Sequence, residues 1–129
     1  MPSLFTRIIH GEIPCHKVGE SEHFLAFLDI NPLHEGHTLV VPKVEVDKFF
    51  DLPPDLLAGI MPFAQQVAER IARVVPCNRI GVSVVGLEVP HAHVHLIPID
   101  SVHDMDFSRP KLKLSNDELA AIAERIRTA

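Results

Sequence analysis

His91-Ala92-His93-Val94-His95 places three imidazoles at every second residue, inside an apolar stretch that continues through Leu96-Ile97-Pro98. Side chains of an extended chain alternate between faces, so the three imidazoles share one face while Ala92, Val94 and Leu96 point the other way. The apolar set looks inward to a core. Imidazole titrates near neutrality, so the row can act as nucleophile, acid or base toward whatever it lines. A single strand histidine is usually a half-exposed packing residue. Three in strict alternation are rare by chance and point to chemistry.

Two chemistries suit such a row. His-x-His on a strand is a metal-binding pattern, and a zinc site completed from another element would draw on His37, His34 or Glu88. Same-face neighbours on a strand stand about 6–7 Å apart, however, too far for all three imidazoles to share one coordination sphere. Nucleophilic catalysis fits better. A central imidazole flanked by two others has donors beside it for the charge of an anion it attacks. Phosphate is the natural electrophile, because histidine forms phosphoramidate intermediates. His37, at the start of another apolar run, is a further donor.

The elements that must position these residues can be read in order. The first third reads as β. Gly11-Glu12-Ile13-Pro14 is a turn signal before a short segment near Cys15 to Gly19 and a strand around Phe24 to Leu28. Asp29-Ile30-Asn31-Pro32 begins a loop with His34, Glu35 and Gly36, and His37 to Pro42 is a third strand. From Leu56 to Val75 apolar residues recur at helical spacing behind the entrance Pro53-Pro54. Pro62 inside that run predicts a kink or break near Ala58 to Pro62. Ile80 to Gly86 reads as a strand, a short loop through Glu88 and Pro90 leads to the histidine strand, and Asp100 to Leu114 looks irregular. Ser115-Asn116-Asp117-Glu118 is a capping box opening a helix to Arg127, with Leu119, Ile122 and Ile126 as its apolar stripe. Strands, a helix, then more strands joined by tight loops predict an α+β fold with an antiparallel sheet.

Composition narrows the partners. A chain of 129 residues, 47% hydrophobic and 22% charged, fits one domain with a real core. No apolar run approaches the roughly 20 residues of a membrane span, and the N-terminus has no basic segment followed by an apolar core, so neither membrane insertion nor secretion is expected. Net charge is −5 and the basic residues are scattered, which argues against long nucleic acid. Cys15 and Cys77 lie far apart without Cys-x-x-Cys spacing, as expected of reduced thiols in a cytoplasm. Trp and Tyr are absent, so aromatic contacts to a base fall to the seven Phe residues.

At this point the residues resemble a family. His91-Ala92-His93-Val94-His95-Leu96-Ile97 is similar to the His-φ-His-φ-His-φ-φ signature of the histidine triad (HIT) superfamily of nucleotide hydrolases and transferases. Phe5 to Pro14, Ala26 to Pro32 and Gly36 to Lys43 resemble three further blocks of that superfamily in the same order, so the likeness covers Leu4 to Ile99 of a single domain spanning 1–129. The resemblance implies a HIT-like five-stranded antiparallel sheet and a Hint-like phosphoramidase acting on a purine nucleotide, without a cofactor. It also implies a homodimer in which two sheets join, to which the apolar width of the 56–75 helix adds weak support.

By the same resemblance His93 is the nucleophile, His95 and His37 contact the phosphate, and His91 orients the central imidazole. Asp29 holds the ribose hydroxyls, a strand-end turn residue capping Asn31 or Pro32 being the alternative, and Ile30, Phe5, Ile8 and Ile13 line the base pocket, although plain core packing accounts for these apolar residues equally well. Two departures stand out. Many bacterial relatives hold zinc with a Cys-x-x-Cys and a histidine, where this chain has Ser3, Thr6 and Glu45, so no metal is expected here. The loop before the triad shrinks to Val85-Gly86-Leu87-Glu88-Val89-Pro90. Gly86 stands about where Asn is expected and Glu88 about where a small hydroxyl is, placing a carboxylate beside phosphate unless it turns away. A binding module without turnover, a dinucleoside polyphosphate hydrolase and a metal-dependent hydrolase remain as alternatives.

Overall fold

Residues 2–129 are described by a computed structural model. Five strands, β1 (Lys17–Glu20), β2 (Phe24–Leu28), β3 (Thr38–Pro42), β4 (Arg79–Ser83) and β5 (Val94–Ile99), form one antiparallel sheet in the order β1-β2-β3-β5-β4. Three α-helices accompany it: α1 (Leu4–Ile9), α2 (Pro54–Val74) and α3 (Asn116–Arg127). The fold is α+β, as the order of elements predicts.

Every residue of β2 and β3 is buried, because both faces of the sheet are covered. Alternation sorts the side chains. Phe24, Ala26, Leu28, Val40, Val94 and Leu96 join the larger core under α2 and α3. Leu25, Phe27, Leu39 and Val41 face the other way and pack with Phe5 of α1. His93 and His95 share this second face, so the odd-numbered residues entering β5 serve the site while the even-numbered ones anchor the core. Leu96 is 1% exposed; Leu96→Ala in such a core costs about 2–5 kcal/mol.

Helix α2 lays Ile60, Ala64, Val67 and Ile71 on the sheet. It runs unbroken through Pro62, so no break occurs near Ala58. Ala58 and Pro62 are both on the exposed side, where water can satisfy the carbonyl that a proline N–H cannot. The apolar width of α2 is spent within the chain, since α3 adds Leu119, Ile122, Ala123 and Ile126 to the same core. Ser115 and Glu118 form the capping box of α3, as read from the sequence. On the outer side of the sheet, edge strand β4 and the residues after it expose Val82, Val84 and Val85.

Several sequence-based boundaries change, among them β4, which ends at Ser83 rather than Gly86. The first residues form no strand but the short helix α1, whose N-terminus is capped by Ser3 accepting the Thr6 N–H at 3.0 Å. The histidine strand begins only at Val94. Ahead of it, the His91 N–H donates to the Val89 carbonyl at 2.8 Å and the Ala92 N–H to the Val46 carbonyl at 2.7 Å, which takes this stretch out of the sheet ladder. No helix among the described residues is long and apolar enough to cross a membrane.

Candidate active site

The site is assembled from the end of β2, the turn into β3, the start of β5 and the face of α1. Gly36, at φ +90°, turns the chain into His37; a Cβ there would stand 2.9 Å from Val75, so only glycine fits. His37 and His95 then meet from neighbouring strands, with 3.0 Å between His37 Nε2 and His95 Nδ1.

Donor and acceptor roles follow along the chain of contacts. The Leu33 N–H donates to His37 Nδ1 at 3.0 Å, so that nitrogen carries no proton. His37 Nε2–H must therefore donate to His95 Nδ1, which leaves the proton of neutral His95 on Nε2. Burial keeps both rings neutral: it lowers His37 to about 3 and His95 to about 4, with neighbouring imidazoles adding to the effect. His93 Nδ1 lies 2.7 Å from the His91 carbonyl, which can only accept, so His93 keeps its lone pair on Nε2.

His91 is fully buried and does not line the cavity. Its Nε2–H donates to the Pro42 carbonyl at 2.8 Å, which makes Nδ1 an acceptor for the Ser3 hydroxyl at 2.8 Å. Burial lowers its pKa and keeps this ring neutral as well. The Thr6 hydroxyl donates to Glu45 Oε1 at 2.6 Å, and the Ser3 N–H reaches the same oxygen at 2.6 Å. These donors, the Ser3 N–H first, bring the Glu45 carboxyl down to about 2. Ser3, Thr6 and Glu45 thus converge on His91 through hydrogen bonds. Phe5 stands edge-on to His91 and His93, with ring centroids 5.8 and 4.9 Å away.

A cavity of about 470 Å³ opens over these rings. His93, His95, His37, Asp29, Ile30, Phe5, Ile8, Ile13, Gly86 and Glu88 all line it, so of the expected site residues only His91 stands behind the wall. Ile30 is 64% exposed and Phe5 4%: the former is a cavity rim, the latter both core and lining. Asp29 accepts the Asn31 N–H at 2.8 Å, and burial raises its carboxyl above the ordinary value. Glu88 lines the same space, and its charge adds to the rise at Asp29.

Of the third ligands considered for a metal, His37 alone approaches the row. Asp29, His37 and His95 bring one ligand atom each within 4.8 Å of one another. His34 instead contacts the Glu35 carbonyl at 2.8 Å. In the tautomers deduced above, neither nitrogen of His37 has a lone pair to spare for an ion.

The chain matches the HIT domain over residues 10–102. This chain belongs to the HIT family. The adenosine 5'-monophosphoramidase of Schizosaccharomyces pombe is 33% identical over 131 residues, covering 98% of this chain and 96% of that one. Among solved structures, a HIT-like protein from Bartonella henselae, described as involved in cell-cycle regulation and with an unknown ligand, superposes with a TM-score of 0.84. It has 27% identity and covers 98% of this chain and 95% of its own. A zinc-bound histidine triad family protein from Mycobacterium smegmatis gives 0.81 at 26% identity, covering 97% of this chain and 90% of its own.

Among the lining residues of this HIT protein that the sequence did not single out are Phe107 and Lys111. Both come from the stretch read as irregular, which holds only the short 3₁₀ turn Val102–Met105. An isolated Phe followed by Arg109 and Lys111 in a polar segment was the available signal.

Proposed function

We propose that this HIT protein hydrolyses the bond between a nucleoside monophosphate, AMP foremost, and an amine, through a covalent nucleotidyl-His93 intermediate. One observation carries the reading: His93 Nδ1 is committed to the His91 carbonyl at 2.7 Å, which leaves the Nε2 lone pair on a ring lining the cavity. The full-length likeness to a monophosphoramidase supports the choice of leaving group.

In the first step His93 Nε2 forms a bond to phosphorus as the phosphorus–amine bond breaks, and the amine takes a proton from solvent. The positive charge left on the ring lies on the nitrogen pair whose Nδ1–H faces the His91 carbonyl, a favourable dipole. His95, with its proton on Nε2, and His37 behind it supply hydrogen bonding to the phosphoryl oxygens. Water then attacks phosphorus, the bond to Nε2 breaks, and one proton returns to solvent with release of the nucleotide. Asp29 holds the ribose hydroxyls, with Ile30, Phe5, Ile8 and Ile13 against the base and Gly86 and Glu88 beside the phosphate. The protein acts as one domain, in the cytoplasm, as a homodimer joined through β4, and light scattering is expected to give close to twice 14.3 kDa.

Hydrolysis of adenosine phosphoramidate by wild type and by His93→Ala tests the reading. Removing a nucleophile of this kind is expected to cost at least about 10⁴-fold in kcat. Retained turnover in the variant would overturn it. The Asp29–His37–His95 group carries a second reading, a metal-dependent hydrolase, which requires the His37 proton to leave Nε2, and loss of activity on chelation is the result that would select it.

A further inference from the structure

The cavity that meets the phosphate is short of positive charge. Its imidazoles at His37 and His95 are held neutral by burial, and Asp29 and Glu88 bring carboxylates. Among the described residues, Lys111 is the one lysine or arginine that lines it. A nucleotide phosphate entering this space meets two acidic groups and a single cation.

Lys111 is held in place from both sides. After it, the Leu112 N–H donates to the Pro32 carbonyl at 2.8 Å, tying the segment to the loop beyond Asp29. Before it, the Phe107 ring packs edge-on against His95 at 4.8 Å and lies 6.3 Å from His37. Arg109 fixes the intervening turn, its guanidinium donating to the His103 carbonyl at 2.9 Å and to Asp104 at 3.1 Å. The Lys111 ammonium donates to the Phe107 carbonyl, and to the Arg109 carbonyl at 3.2 Å. An ammonium has three donors, so one is left for the cavity. The positive charge of Lys111 opposes the burial-driven rise at Asp29 and adds to the lowering at His37.

We propose that Lys111 is the phosphate-recognising cation of this site, delivered with Phe107 by a segment lying beyond the residues that match the HIT domain. The proposal rests on the nucleotide reading above and assigns its charge recognition to one residue. It also accounts for a carboxylate at Glu88 in a phosphate site, because Lys111 offsets that charge.

Calorimetric titration of AMP and of adenosine into wild type, Lys111→Met and Lys111→Arg tests it. The expected result is a loss of about ten-fold or more in AMP affinity for Lys111→Met, with adenosine affinity unchanged and Lys111→Arg close to wild type. The slope of AMP affinity against salt should also become shallower in Lys111→Met. Wild-type AMP affinity in Lys111→Met overturns the proposal and leaves the nucleotide reading standing. An equal loss for AMP and adenosine overturns it too, since Lys111 would then only shape the segment. A wild-type protein that binds neither ligand removes both.

Discussion

The Ser3 hydroxyl donates to His91 Nδ1 across 2.8 Å, linking the N-cap of α1 to the residue whose carbonyl holds His93. One buried hydroxyl therefore serves the helix start and the orientation of the central imidazole. Ser3→Ala leaves the His91 nitrogen without its donor in a buried site, which costs about 1–3 kcal/mol. Urea unfolding should show that loss. Hydrolysis should show a lower kcat with little change in KM, and Ser3→Thr should restore most of both. Unchanged stability and kcat in Ser3→Ala would mean that the link to His91 is idle.

Acid should destabilise the protein well before its carboxylates are protonated. His37 and His95 titrate at about 3 and about 4 when folded, and unfolded histidine titrates near 6.5. Between those limits the unfolded chain binds protons that the folded chain refuses. Stability is thus fully present above about pH 6.5 and falls as pH drops toward about 4. Asp29 opposes this, because its raised pKa makes the folded state the better proton acceptor, but it is one group against the two imidazoles and His91, which is also lowered. The melting temperature should fall steadily from about pH 7 to about pH 5. A flat profile would show that these rings take up protons without unfolding.

Glu88 lines the cavity close enough to raise Asp29, so a leaving group that brings extra negative charge is disfavoured there. Adenosine phosphoramidates should be cleaved in preference to dinucleoside polyphosphates, and Glu88→Ser should narrow the ratio of kcat/KM by about ten-fold, the worth of roughly 1.4 kcal/mol. Equal selectivity in the two proteins would place the Glu88 carboxylate out of reach of the phosphate.

Much of this arrangement is legible in the residues, for identifiable reasons. Alternation reports faces correctly from His93 to Leu96, because Val94 and Leu96 reach the core while His93 and His95 reach the cavity; it fails at His91, which lies ahead of the strand and behind the cavity wall. The capping box at Ser115 marks the start of α3 because both of its hydrogen bonds are local. Helix α1 is not legible from periodicity: six residues make under two turns, and its stability comes from the Ser3 cap and the burial of Phe5. Phe107 and Lys111 escape any periodic pattern for a different cause. Their segment has little regular structure, and the bond from Leu112 to Pro32, 80 residues apart in sequence, brings it to the site. At Pro62 the helix stays continuous, which rules out the break though not the kink of the sequence expectation, because the freed carbonyl is on the exposed side.

Covalent capture tests the central claim most directly. Protein quenched during turnover of adenosine phosphoramidate, digested and read by mass spectrometry, is expected to carry one adenylyl group on the peptide containing His93, with fragmentation placing it on that residue. An adduct on His91, His95 or His37, or turnover with no adduct on any histidine under rapid quench, would contradict the assignment of His93 as nucleophile.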